Sequence, residues 1–110
     1  MLQWDETDFL ECLEVIPERI EDGGGPFHVF TVEKKGIELE LTVFPFEEDI
    51  RFRLFRSGDN HAIFEYQIMN CKVAKFEKGK QGNEYLIFMN QKELQVTVSV
   101  NPDIEILVTD

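Results

Sequence analysis

His28 and His61 are the side chains that titrate nearest neutral pH, so a general base in this chain would start from one of them. Neither stands in an HxH or HExxH pattern, and no serine occupies a GxSxG elbow. His28 reads as a packed strand histidine, and His61 as a solvated residue beside a turn. Cys12 and Cys71 give no zinc spacing and read as reduced, buried thiols. The acid runs Glu18 to Asp22 and Glu47-Glu48-Asp49 offer oxygen ligands of the kind Ca²⁺ takes. Their spacing is not that of an EF-hand, and consecutive side chains in a tight turn diverge. Gly23 to Gly25 lack the GK[ST] ending of a phosphate cradle and stand among acids that repel phosphate. The expectation is a non-enzyme with no metal and no cofactor.

Arginine and phenylalanine give the remaining candidates. Arg51, Arg53 and Arg56 could gather an anion, but strand pairing offers a competing use in which Arg53 stands between Glu40 and Glu65 as a charge ladder. The ladder is the preferred reading. It leaves Phe44, Phe46, Phe55 and Ile63 on the side away from the core. Either a helix or a second sheet covers them, which is the default, or they form an exposed aromatic and arginine patch. Phe44, Phe46, Arg51 and Phe55 are therefore the candidate binding residues.

These residues are held by alternating strands. From Ile37 to Phe55, Ile37, Leu39, Leu41 and Val43 share one face with Ile50, Phe52 and Leu54, the arms meeting at the acidic corner Glu47-Glu48-Asp49. The preceding strand, Phe27 to Lys34, turns through Lys35-Gly36. Its register sets Val32 beside Leu39, Phe30 beside Leu41 and His28 beside Val43. After a loop at Gly58 to Asn60, the next strand opposes Phe64 to Leu54, Tyr66 to Phe52, Ile68 to Ile50 and Ile63 to Phe55. The apolar set changes phase around Met69-Asn70-Cys71, where a bulge or bend belongs.

The run Tyr85 to Met89 predicts a central strand covered on both faces, by the helix or a second sheet on its far side. Leu94 to Val100 and Ile104 to Val108 predict a final hairpin, with Val98 against Ile106 and Val96 against Val108. At the other end, Asp5 reads as a helix N-cap, Trp4 and Phe9 as a hydrophobic staple, and Pro17 as the stop. A shorter helix followed by a strand from Cys12 to Val15 is the alternative. Pro17 to Pro26 reads as a turn-rich acidic loop.

The chain carries 22 acidic and 11 basic side chains, a net charge of −11, and the first fifty residues hold 14 of the acids against 3 bases. That balance disfavours phosphate-mediated nucleic-acid binding and attraction to an anionic membrane, and it leaves open a basic protein partner, a cation or simply high solubility, the last being the preferred reading of the charge alone. The start, MLQWDETDF, lacks the basic lead and apolar run of a signal peptide, so a cytoplasmic location is expected. Unpaired strand edges leave a homodimer open.

Together these readings predict a mainly β (α+β) single domain over residues 1–110, helical over 1–17 and stranded over 27–110. About seven antiparallel strands in meander order form a sandwich or an open barrel. The function expected first is a non-catalytic acidic interaction protein, an inhibitor or immunity-type binder. The alternative is a carrier of a small apolar ligand, in a cavity lined by Phe30, Phe52, Phe64 and Tyr66.

Overall fold

In the computed structural model, residues 1–23 and 25–109 are described, so Gly24 of the glycine run lies outside them. The described residues form one short helix and nine antiparallel strands in two sheets. Helix α1 spans Glu6–Leu13. The first sheet holds β1 (Glu18–Asp22), β2 (Gly25–Lys34), β3 (Ile37–Phe44), β4 (Asp49–Arg56) and β5 (Ala62–Ile68), in that order. The second holds β6 (Cys71–Lys78), β7 (Glu84–Asn90), β8 (Gln95–Ser99) and β9 (Glu105–Thr109). Within each sheet every strand pairs with its neighbour in sequence, so the meander is borne out, and the break between β5 and β6 makes it two sheets, a sandwich rather than a barrel.

The expected registers hold across the first sheet as far as Leu54. Phe30 opposes Leu41, Val32 opposes Leu39, Leu41 opposes Phe52 and Phe52 opposes Tyr66, so one apolar face runs across four strands. The tight turn into β3 puts Lys35 at φ 51° and Gly36 at φ 83°, the paired positive angles of the hairpin turn whose twist matches the strands. From the second sheet, Leu86, Phe88, Val96 and Val98 face the same buried core. Phe52 meets Phe88 with ring centroids 5.3 Å apart, joining the sheets at their middle. The last hairpin also keeps its register, Val98 against Ile106 and Val96 against Val108.

Helix α1 begins as read: the Asp5 carboxylate accepts from the Thr7 N–H at 2.9 Å, and Trp4 packs edge-on against Phe9 at 5.1 Å. It ends earlier than Pro17. Glu14 turns left-handed at φ 61° and donates its N–H to the Leu10 carbonyl, which closes the helix and leaves Ile16 88% exposed. Phe9 is fully buried and touches both Phe30 and Phe88, so the helix inserts a ring between the sheets.

Three further expectations change. Pro17 to Pro26 is not a loop: Glu18–Asp22 forms a strand on the edge of β2, with Ile20 opposite Phe27. Its mostly charged side chains hide it from an alternation test, and pairing alone makes it a strand. The count is accordingly nine rather than about seven. Phe55 opposes Ala62 instead of Ile63, because the register shifts beside Leu54 and bulges the edge strand. On β7, Leu86 and Phe88 face the core, and Ile87 on the opposite side is also buried, at 7% exposed, flanked by Lys75 and Thr97 of the neighbouring strands. The phase change at Met69 to Cys71 is where the chain crosses between sheets, with Asn70 at φ 58° and a register shift between Cys71 and Val73.

Candidate functional site

The candidate binding residues lie on the outer face of the first sheet, the face turned away from the core. Cover on it is uneven: Phe55 is 6% exposed and Phe44 half-buried, while Phe46 is 58% exposed. Phe44 is half-buried, stacked on Phe27 with centroids 5.0 Å apart, and the Arg51 guanidinium sits 5.5 Å from its ring. Phe46, in the turn after β3, is 58% exposed. Its ring rests on the backbone of Gly25, where a Cβ would come within 3.0 Å of Phe46 Cδ2 and where φ is 101°. Only glycine accommodates both conditions. Phe55 departs from the exposed-patch reading: it is 6% exposed, with the Arg53 guanidinium 5.0 Å from its ring centre. Phe44, Phe46 and Arg51 are thus brought together near one end of the face, and Phe55 is placed beneath Arg53 further along it.

The preferred ladder is present. Arg53 Nε donates to Glu65 at 3.1 Å and its Nη1 to Glu40 at 3.3 Å, because the register sets all three side by side on adjacent strands. Two carboxylates share one guanidinium, so the row stays net negative. Arg51 stands one row away, opposite Gln67. Arg56 is exposed at the strand end and does not join Arg51 and Arg53 in an anion site.

The other chemical candidates are the histidines, the acidic corner and the cysteines. His28 is buried beneath Trp4, with ring centroids 4.9 Å apart, and its Nδ1 lies 3.4 Å from a Glu6 carboxylate oxygen. Burial lowers its pKa, with Arg19 adding to the effect and Glu6 opposing it. His61 is exposed and its backbone N–H donates to the Asp59 carboxylate at 3.2 Å. In the acidic corner, Glu48 accepts from Lys72 Nζ at 2.7 Å, and these cationic contacts lower its pKa. Asp49 points elsewhere, to Gln67 Nε2 at 3.5 Å. No group of three potential metal ligands occurs among the described residues. Cys12 and Cys71 are free and buried; burial first, then nearby carboxylates, pushes the Cys12 thiol up to about 12, and burial pushes Cys71 up to about 11.

The four residues assigned to a carrier cavity do not line one. Phe30 and Phe52 are fully buried against Phe9 and Phe88, whereas Phe64 is 39% exposed at the edge of the sheet. The space under the helix is filled by the Phe9 ring. No helix among the described residues is long and apolar enough to cross a membrane.

No family model matches the chain, and no curated protein matches it by sequence. Among solved structures, it is similar to a chain of a contact-dependent growth inhibition toxin–immunity protein complex from Klebsiella pneumoniae 342. That likeness has a TM-score of 0.82 at 19% sequence identity, and it covers 98% of this chain and 95% of the other. At such identity it carries the fold, helix and both sheets together.

Proposed function

We propose that the chain is a non-catalytic, immunity-type binder whose acidic surface engages a basic protein partner. The observation that carries this reading is the near full-length likeness to a chain of a toxin–immunity protein complex. A net charge of −11 supports it, since such a field draws a basic partner and repels nucleic acid. In this reading Phe46 supplies exposed aromatic contact backed by the half-buried Phe44, Arg51 borders them, and Phe55 acts from below by holding Arg53 in place. A folded domain spanning residues 1–110 and working in the cytoplasm completes the proposal.

The test is affinity capture from native extract at about 50 mM and about 500 mM salt, which differ several-fold in screening. A basic protein retained at low salt and released at high salt is expected. The purified pair should then lose affinity about tenfold with Phe46→Ser, the scale of an aromatic anchor in an interface. Recovery of no salt-sensitive basic partner rejects the reading.

A further inference from the structure

Strand β5 ends the first sheet, and its outer edge has no strand beside it among the described residues. Three features mark this edge. The row Glu40–Arg53–Glu65 alternates in charge and stops there on a carboxylate whose side chain is 62% exposed. The same strand shows apolar surface, with Ile63 54% and Phe64 39% exposed and Tyr66 half-buried. A surface depression of about 200 Å³, lined by Arg51, Glu65, Tyr66 and Gln67, lies alongside. On the other edges, Gln3 bridges β6 at Val73 and Arg19 of β1 is paired with Glu21 of its own strand at 3.2 Å, while β9 also exposes Leu107 and Val108 but has no charge row ending on it, since Glu105, Leu107 and Thr109 oppose Ser99, Thr97 and Gln95.

We propose that β5 is the strand on which the basic partner docks: an extended segment of that partner adds as a sixth strand, with a lysine or arginine opposite Glu65. This rests on the function proposed above and names where it is carried out. A cation there continues the alternation by one step and supplies the second positive charge that Glu40 and Glu65 lack. The neighbouring positions, opposite Phe64 and Tyr66, face the apolar side and take apolar residues. The position opposite Gln67 is neutral or acidic, because Arg51 stands next in that row. A second copy of the chain paired about Glu65 would set that carboxylate against its own equivalent, so the charge pattern selects a basic strand.

The experiment titrates the ¹⁵N-labelled protein with two synthetic peptides, acetyl-TTVKVTT-amide and acetyl-TTVEVTT-amide, at millimolar concentration. Amide shifts should centre on residues 62–68, with the lysine peptide binding up to about fivefold tighter, the upper range for an opposite-charge cross-strand pair. Glu65→Lys should invert the preference and Glu65→Gln should erase it. Glu33→Lys, which makes the same charge change on exposed β2 surface, should keep it. Shifts centred elsewhere, equal binding of the two peptides, or an unchanged preference in Glu65→Lys overturns the proposal. Concentration-dependent shifts of β5 without peptide assign the edge to a second copy and also overturn it. If a salt-sensitive basic partner is captured equally by the wild type and by Glu65→Lys, this docking strand fails while the binder reading stands.

Discussion

Replacing Phe9 with alanine tests whether one ring joins the helix to both sheets. The side chain is fully buried and contacts Trp4, Phe30 and Phe88 at centroid distances of 5.1, 5.3 and 5.7 Å. A buried phenylalanine removes about 150–250 Å² from water, worth roughly 4–6 kcal/mol at about 25 cal/mol per Å². Alanine keeps part of that burial, and measured Phe→Ala losses in cores run about 3–5 kcal/mol. A loss of about 4 kcal/mol is therefore expected, a large share of the roughly 5–15 kcal/mol that stabilises a typical domain. With an unfolding entropy of about 2.1 cal/mol/K per residue, a domain of this length should melt about 17 °C lower. Urea unfolding followed by Trp4 fluorescence and far-ultraviolet dichroism measures it, Trp4 being the lone tryptophan. Leu10→Ala, at a position 36% exposed on the same helix, should cost under about 1 kcal/mol. A Phe9→Ala loss below about 1.5 kcal/mol would refute the packing argument, because it would mean that the space closes without the ring.

Arg53→Met should cost about 1–2 kcal/mol, combining two half-exposed ion pairs with the cover over Phe55, and part of that cost should vanish in about 0.5 M salt. A salt-independent cost would count against the ladder. For His28 the folded pKa lies below the unfolded value of about 6.5, so the unfolded state binds the extra proton first. Its contribution is complete above about pH 6.5 and is lost as pH falls from there through the folded pKa. Stability measured between about pH 5 and 7.5 should show that decline, and His28→Gln should flatten it. An NMR titration placing the His28 pKa at or above about 6.5 would remove the account.

Much of the candidate site was legible in sequence, because alternation states which side chains share a face and turn chemistry states how arms align. Phe44 and Arg51 opposite the core face, and Arg53 between Glu40 and Glu65, follow from those two rules alone. The helix entrance at Asp5 and the filled apolar face of β2 to β5 follow similarly from local pattern. The amount of Phe55 left in water does not, since the Arg53 guanidinium that covers it comes from a choice of side-chain path. Nor does the bulge that turns Ile63 outward, or the rest of the Phe46 ring on Gly25, which joins residues far apart in the chain.

Strand periodicity, the N-cap and the charge balance were determined by the sequence itself, because each depends on neighbours a few residues away or on a simple count. Three things were decided only in the folded molecule: that Glu18–Asp22 becomes an edge strand, that Phe9 rather than a cavity fills the space between the sheets, and that β5 ends the first sheet among the described residues. A strand's own residues state which way its side chains alternate. Whether another strand lies beside it depends on where the chain crosses to the second sheet, and here it crosses after Ile68, leaving Glu65 at the end of its row.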